Sequence, residues 1–367
     1  MSGAGPVGVG VIGAGVISDQ YLSNLVTFPD LRVLFVADLD LDRAAAQAKT
    51  YGVPGSGAVD DLLADPEIEI VVNLTIPAVH VEVATRAVEA GKNVWTEKPF
   101  SLDRESGLGL LAKAEAAGVR VACAPDTILG GGLQSARRLI ESGAIGTPLT
   151  GLTLFQSPGP ESWHPNPEFL FAVGGGPLFD IGPYYLTTLV QIFGPIAKVT
   201  ATSSTASPTR TIGSGPRAGT VFPVEVPTHF GVLVQFESGR SAQSVFSFES
   251  KLVRGGFVEI AGTDGTAILP DPNKFDGETV IWRGKENFES FEPEGAMLGR
   301  GTGVAELAQA IRAGRPERAS GELAYHLLDA MVSIAESAER DASVVVDSTV
   351  DLPPALPADW DPRVATL

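Results

Sequence analysis

Three side chains in the sequence could bind a hydroxyl-bearing substrate and move its proton: Lys98, Asp180 and Tyr184. Lys98 follows a short apolar run, and a lysine at the carboxyl end of a strand can offer positive charge or a proton donor to a substrate oxygen. Asp180 and Tyr184 are four positions apart, so both face one side if Asp180 opens a helix. We expect Lys98 to polarise the reacting oxygen, Tyr184 to act as general acid and base, and Asp180 to orient the substrate or the lysine.

A proline-rich stretch carries two further candidates for substrate binding, Trp163 and His164. The indole face suits the carbon–hydrogen surface of a sugar, and the imidazole suits a hydroxyl, although packing within the loop explains both residues equally well. Gln156 and Asp126 are weaker candidates. Tyr185 points to another helix face than Tyr184 and is expected to pack.

A glycine turn follows the first predicted strand and opens a helix, as a dinucleotide-binding turn must. It reads Gly13-Ala14-Gly15-Val16-Ile17-Ser18, with Ser18 in the place of the third glycine. The literal G-x-G-x-x-G at 8–13 is rejected because its glycines alternate with valine inside the strand. Gly13 and Gly15 allow the tight turn and the close approach of the pyrophosphate, which would rest on the helix N-terminus, with Val16 and Ile17 also expected to bind the cofactor.

Asp38 ends the second predicted strand, about 20 residues beyond the turn, where an acidic group binds the ribose hydroxyls of NAD and repels the 2′-phosphate of NADP. NAD is therefore the expected cofactor and NADP the less favoured one. Arg43 lies close enough in sequence to weaken that preference.

Apolar strands and helices alternate in the N-terminal third, which is typical of a parallel sheet covered on both faces. The strands are expected at 7–12, 32–37, 68–74, 93–96 and 119–122, and the helices at 18–27, 42–51, 60–64, 79–90 and 103–117. We therefore expect an α/β fold that begins with a Rossmann domain over residues 1–125.

Residues 126–367 are expected to form an α/β domain with an open, mainly antiparallel sheet for substrate binding and oligomerisation, because apolar and polar residues alternate there. Its strands are expected at 151–157, 198–204, 228–237, 241–250, 257–261 and 279–282, and its helices at 133–142, 304–313 and 321–341. The last helices could pack back on the first domain. Residues 203–219, rich in Ser, Thr, Pro and Gly, favour a mobile surface loop.

The composition excludes several classes of partner. A net charge of −18 disfavours nucleic acid and membrane surfaces. The single cysteine, Cys123, and the absence of a basic leader with an apolar run favour a soluble cytoplasmic protein. No metal site is expected from the spacing of the histidines, and His229 and His326 receive no chemical role.

Three segments together resemble the Gfo/Idh/MocA oxidoreductases, which include glucose–fructose oxidoreductase and inositol dehydrogenase. They are the turn ending at Ser18, the run Glu97-Lys98-Pro99, and the run from Gly174 to Tyr184. The family's third motif commonly reads Asp-x-Gly-x-His, and here Tyr184 takes the place of the histidine, as it does in some relatives.

The resemblance implies roles for several residues. Lys98 would bind the substrate hydroxyl beside the nicotinamide, with Glu97 next to it at the cofactor site. Thr75, Pro77 and His80 would line the cofactor cleft, although a capping or packing role for His80 is an equal alternative. The resemblance also implies a homodimer or homotetramer formed through the C-terminal sheet.

These observations favour an NAD-dependent dehydrogenase acting on a secondary hydroxyl of a sugar, sugar derivative or polyol. An NAD-using glycosidase that oxidises its sugar transiently is a second hypothesis. A non-catalytic dinucleotide-binding regulator is the third, and it is disfavoured by the presence of Lys98, Asp180 and Tyr184.

Overall fold

A computed structural model describes residues 5–297 and 299–367 of the chain. These residues form two compact units. The first contains the chain up to Gly131, with Glu294–Tyr325 and Leu352–Leu367, and the second contains Gly132–Pro293 and His326–Asp351.

The sheet of the first unit is parallel throughout, as predicted. Its strands are β1 (Val7–Ile12), β2 (Leu31–Ala37), β3 (Gly55–Gly57), β4 (Ile70–Asn73), β5 (Asn93–Thr96) and β6 (Val121–Cys123), in the order β3-β2-β1-β4-β5-β6. Every residue of β1 and β4 is buried, which is why these strands are apolar without alternation. The strand order reverses between β1 and β4, where ligands of such sheets bind beyond the carboxyl ends.

The connections of this sheet are helical. They are α1 (Val16–Leu25), α2 (Leu41–Tyr51), α3 (Val59–Ala64), α4 (His80–Glu89) and α5 (Arg104–Ala117). Asp40 caps α2 by accepting a hydrogen bond from the Arg43 N–H at 3.1 Å, and α2 ends at Gly52 with φ of 69°. The helix α2 therefore begins after an aspartate N-cap and ends at a glycine in the left-handed conformation, and both residues can be recognised in the sequence.

The second unit holds a mixed, mainly antiparallel sheet, which confirms the expected class of fold. Its strands are β7 (Pro148–Gln156), β8 (Ile196–Ser204), β11 (His229–Phe236), β12 (Ser241–Ser247), β13 (Arg254–Gly262), β14 (Thr266–Leu269), β15 (Thr279–Gly284), β16 (Asn287–Phe291) and β17 (Val344–Val345), and the short pair β9 (Thr209–Thr211) and β10 (Val221–Pro223) lies outside it. The strands follow the order β16-β15-β14-β13-β7-β12-β11-β8-β17, and β7 pairs with β12 in parallel. Burial alternates along β11, as expected for a strand with one covered face.

The remaining helices are α6 (Gly131–Glu141), α7 (Gly176–Phe193), α8 (Thr302–Ala313) and α9 (Gly321–Arg340). Asp180 does not open α7, because the helix begins four positions earlier at Gly176, whose φ is 73°. Asp180 and Tyr184 therefore lie on successive turns of one face. Among the described residues, no helix has the length and apolar character that a membrane crossing requires.

The boundaries of the two compact units differ from the predicted single division at residue 125. The chain returns to the first unit after the second sheet, so α8 belongs to the first unit. Gly303 lies so close to β5 that a Cβ there would be 2.0 Å from the Trp95 ring. A glycine at this position lets α8 pack directly on the tryptophan, which is fully buried.

The segment 203–219 is more regular than expected, so the prediction of a loop is wrong in part. β8 continues to Ser204, and β9 then pairs with β10 in an antiparallel hairpin. Ile212 and Phe222 are buried, and the Phe222 ring lies 5.4 Å from that of Phe171, centroid to centroid. We refer to residues 205–224 as the arm.

Candidate functional site

The turn after β1 has the open backbone that a pyrophosphate requires. Gly13 has a φ of 102°, and a Cβ there would lie 2.7 Å from the Leu74 carbonyl oxygen. A Cβ on Gly15 would meet nothing within 4 Å. Gly15 is also the N-cap of α1 and makes no side-chain cap, so the backbone amides at Val16 and Ile17 remain available to an anion. The turn therefore fits a dinucleotide.

The last residue of the turn is close-packed rather than exposed. Ser18 is fully buried, and its Oγ donates a 2.6 Å hydrogen bond to the Gly15 carbonyl oxygen. Gln47 on α2 donates to the same Oγ at 3.1 Å. The third glycine position thus holds a small residue with internal partners.

Asp38 lies directly beside the turn. Its Oδ2 accepts the Ala14 N–H at 2.7 Å, and its Oδ1 accepts the Asp40 N–H at 2.9 Å and Arg43 Nη2 at 2.6 Å. Burial alone would raise the pKa of Asp38, but these hydrogen bonds, chiefly that from Arg43, outweigh it and hold the pKa below its usual range. A carboxylate accepts about four hydrogen bonds, so capacity remains for a ribose hydroxyl.

The segment after β4 is held by its own backbone and by His80. The His80 ring is buried, with Nδ1 2.9 Å from the Pro99 carbonyl oxygen and Nε2 2.9 Å from the Thr75 carbonyl oxygen. Thr75 Oγ1 donates to Asn73 Oδ1 at 2.7 Å, and the half-buried Pro77 begins the turn that leads into α4. His80 thus joins this segment to the one that contains Lys98.

Glu97 has a partner that the sequence does not reveal. The phenol of Tyr21, on α1, donates to Glu97 Oε1 at 2.7 Å, and Trp95 Nε1 donates to the Tyr21 oxygen at 3.1 Å. Glu97 Oε2 accepts the N–H of Lys98 at 3.0 Å. Both oxygens of Glu97 are therefore used to fix the backbone that presents Lys98, whose side chain is half-buried.

Asp126 is a structural residue of the first unit. It is fully buried, pairs with Arg300 at 3.2 Å, and accepts the Gly301 N–H at 2.8 Å. Burial raises its pKa, the Arg300 charge opposes this, and the charge of Glu97 adds to it. With no exposed atom, Asp126 holds the start of α8 rather than a substrate.

The second unit contains the other proposed catalytic residues. Asp180 is half-buried and Tyr184 is 5% exposed, both on α7. Tyr185 is buried, accepts the Gly256 N–H at 2.8 Å, and packs edge-on against Phe155 and Phe246. Tyr185 therefore packs as expected, and burial raises the pKa of its phenol.

Trp163 and His164 form an exposed aromatic cluster with Phe169, which the sequence did not single out. The ring centroids of His164 lie 5.5 Å from Trp163 and 5.4 Å from Phe169, both edge-on. Trp163 is 67% exposed. Gln156, in contrast, donates to the Leu252 carbonyl oxygen at 3.3 Å.

Within the described part of the chain, His, Cys, Asp and Glu side chains form no group of three that could hold a metal ion.

The first unit brings the glycine turn and Asp38 together, and joins Glu97 and Lys98 to α1. Asp180, Tyr184, Trp163 and His164 belong to the second unit.

A parallel sheet with this strand order and this turn is typical of dinucleotide-binding proteins, and comparison with known proteins identifies the family. Residues 7–124 match the oxidoreductase family with an NAD-binding Rossmann fold, and residues 133–268 match the GFO/IDH/MocA C-terminal domain. The chain belongs to the GFO/IDH/MocA family and is an NAD-binding oxidoreductase.

Individual relatives agree with this assignment. The chain is 30% identical to an uncharacterized oxidoreductase of Rhizobium meliloti over 72% of this chain and 74% of the relative. It is 26% identical to a 1,5-anhydro-D-fructose reductase of Ensifer adhaerens over 71% and 74%. Among solved structures, levoglucosan dehydrogenase in complex with NADH and L-sorbose superposes with a TM-score of 0.81 at 21% identity, covering 93% of this chain and 99% of that one.

Proposed function

We propose that the protein is an NAD-dependent dehydrogenase that oxidises a secondary hydroxyl of a sugar, sugar derivative or polyol. The observation that carries the proposal is the placement of Lys98, which lies two residues after the end of β5 and is fixed through Glu97 to the helix that begins at the glycine turn. The names of the relatives support the substrate class, since two of them act on an anhydro-sugar.

The residues of the first unit fit NAD. The amides at Gly15, Val16 and Ile17 would hold the pyrophosphate, and Asp38 would accept a ribose hydroxyl. Because Arg43 is already paired with Asp38, the carboxylate stays charged and disfavours the 2′-phosphate of NADP. Thr75, Pro77 and His80 would border the nicotinamide end.

When bound, the nicotinamide accepts the hydride that leaves the carbinol carbon. The ammonium of Lys98 would bind the hydroxyl oxygen and stabilise the negative charge that develops on it. Tyr184, acting as the phenolate, would take the hydroxyl proton on Oη and become the neutral phenol, and Asp180 would orient the substrate or the lysine. Trp163 and His164 would contact the rest of the sugar.

In the decisive experiment the protein is incubated with NAD and, one at a time, with myo-inositol, D-glucose, levoglucosan and simple glycosides. NADH absorbance and glycoside cleavage are measured separately. Net NADH formation that is lost in Lys98→Ala supports the proposal. Cleavage of a glycoside without net NADH would overturn it in favour of an NAD-using glycosidase.

The role of Tyr184 has its own test. Tyr184→Phe should lower the single-turnover rate at saturating substrate by about 100-fold or more, the range of general acid–base catalysis. A near-normal rate would indicate that Lys98 or Asp180 takes the proton instead.

A homodimer or homotetramer formed through the second sheet, and a cytoplasmic location, remain predictions. Sedimentation velocity would measure the oligomeric state.

A further inference from the structure

The loop that carries Trp163 and His164 is attached to the arm by backbone contacts. We call residues 158–171 the substrate loop. The Gly213 N–H donates to the Glu161 carbonyl oxygen at 2.8 Å, and the N–H of Glu225, the residue that follows the arm, donates to the Phe171 carbonyl oxygen at 2.9 Å. The two segments approach so closely that a Cβ on Gly213 would lie 3.1 Å from Ser162 Cα.

One half-buried guanidinium, that of Arg210 on β9, strengthens this attachment. Its Nη1 donates to Glu161 Oε1 at 2.8 Å and to the Pro158 carbonyl oxygen at 3.1 Å. Its Nη2 donates to the Phe248 carbonyl oxygen at 3.1 Å, and its plane lies over the Phe171 ring, 5.7 Å from the centroid. Arg210 therefore ties both ends of the substrate loop to the strand end at Phe248.

The ion pair between Arg210 and Glu161 is shielded from water. Their side chains are 16% and 12% exposed, and Glu161 Oε2 is buried without a hydrogen-bond partner among the described residues. Removing the guanidinium would leave a buried carboxylate without its counter-charge, which is far more costly than losing an exposed pair. The substrate loop would have to rearrange to hydrate Glu161.

The ion pair between Arg210 and Glu161 fixes the segment that carries the aromatic cluster of Trp163, His164 and Phe169. The Pro160 carbonyl oxygen, next to Glu161, accepts the N–H groups of Trp163 at 3.1 Å and His164 at 2.8 Å. His164 Nδ1 accepts the Asn166 N–H at 3.1 Å, so the neutral ring carries its proton on Nε2. His164 thus offers a hydrogen-bond donor, next to the exposed face of Trp163, in an orientation set by the loop.

We propose that Arg210 is a positioning residue for substrate recognition: acting through Glu161, it holds the substrate loop so that Trp163 and His164 contact a polyhydroxylated ring. The inference rests on the proposed function and adds to it a specificity-determining element built by the arm. Arg210 belongs to the second unit, whereas the residues proposed to bind the pyrophosphate and the ribose belong to the first.

The test compares Arg210→Gln and Arg210→Lys with Arg217→Gln, using whichever of levoglucosan, myo-inositol or D-glucose the wild type oxidises. Arg217 is the matched control because it joins the same arm to Glu168 and Asn166 of the same loop, but in an exposed pair. Arg210→Gln should raise KM about tenfold or more with kcat changed much less, the pattern of lost substrate binding. Arg210→Lys should raise KM less, and Arg217→Gln should change it less than about threefold.

The affinity for NADH should be unchanged in all three variants. Equal effects of Arg210→Gln and Arg217→Gln, or an unchanged KM in folded Arg210→Lys and Arg210→Gln, would overturn the proposal. A readout independent of activity separates its failure from that of the proposed function. Amide hydrogen exchange across 158–171 in the full chain should accelerate in Arg210→Lys, which keeps the charge opposite Glu161, while exchange in α7 is unchanged. Unchanged exchange across 158–171 would overturn the inference even if the enzyme oxidises a sugar.

Discussion

The phenol of Tyr21 donates a 2.7 Å hydrogen bond to Oε1 of Glu97, and this bond joins the helix of the phosphate-binding turn to the residue that precedes Lys98. Burial and the nearby charge of Glu97 raise the pKa of Tyr21, so the phenol remains a donor at neutral pH. Tyr21 also accepts the Trp95 Nε1–H at 3.1 Å. The Tyr21 hydroxyl therefore provides a hydrogen-bond acceptor for the buried Trp95 indole and a donor for the Glu97 carboxylate.

Replacing Tyr21 with Phe should destabilise the protein and impair turnover. The change leaves Trp95 Nε1 and Glu97 Oε1 without this partner, at a cost of about 1–3 kcal/mol in the free energy of unfolding. Because Glu97 holds the Lys98 N–H, kcat should fall as well. Urea unfolding and steady-state kinetics measure the two effects. Tyr51→Phe is the control: Tyr51 donates to Asp19 Oδ1 at 2.8 Å on the exposed surface, and its loss should change stability by less than about 0.5 kcal/mol. Equal stabilities of the two variants would contradict this role of Tyr21.

The two glycines of the turn should respond differently to alanine. A Cβ on Gly15 meets no protein atom within 4 Å, and its backbone is extended, so Gly15→Ala should fold with nearly normal stability. The methyl group would nevertheless occupy the space of the pyrophosphate, and we expect NADH affinity to fall by about 100-fold, or ~2.7 kcal/mol. Gly13→Ala is strained at φ of 102° and should lose stability as well. Fluorescence titration with NADH and thermal unfolding separate the two. Normal NADH binding by Gly15→Ala would contradict the placement of the pyrophosphate.

Asp38 should set the preference for NAD. Asp38→Asn removes the charge that repels a 2′-phosphate and releases Arg43, so the ratio of NADP to NAD affinity should rise about tenfold, or ~1.4 kcal/mol. Asp40→Asn, which alters the neighbouring cap of α2, should leave this ratio unchanged. Since the pKa of Asp38 is held below its usual range, and the second pKa of the 2′-phosphate is about 6, the wild-type preference should be constant from about pH 7.5 to 9. A preference that varies across this interval, or an unchanged ratio in Asp38→Asn, would argue against the assignment.

The sequence predicts what depends on local pattern and leaves out what depends on packing between distant segments. The glycine turn and Asp38 stand out because a buried strand, a turn and an acid follow one another at short range. Tyr21 and Glu97 are 76 positions apart, and no local signal pairs them. The sequence did not predict the arm because its two strands are only three residues long and lie among Ser, Thr, Pro and Gly residues that are typical of a loop. Arg210, 49 positions from Glu161, becomes an anchor only once that hairpin forms.

His326 should make the stability of the second unit depend on pH. The ring is fully buried on α9; its Nε2 accepts the Ile196 N–H at 2.9 Å, so the neutral ring donates from Nδ1 to Ser348 Oγ at 3.0 Å. Burial lowers the pKa of His326, although the charges of Asp329 and Glu237 and a hydrogen bond with Ser348 oppose the shift.

Because the pKa of His326 is lower in the folded state than in the unfolded state, the unfolded protein binds more protons as the pH falls below about 6.5. The stabilisation is therefore complete above that pH and is lost as the pH falls towards the folded pKa, with a slope of at most ~1.4 kcal/mol per pH unit. Urea unfolding between about pH 7 and 5 should show this slope in the wild type and a smaller one in His326→Gln, which has no titrating ring. His229→Gln, which removes a histidine from β11, controls for the rest of the chain. Loss of the slope in both variants, or its persistence in His326→Gln, would assign the titration to another group.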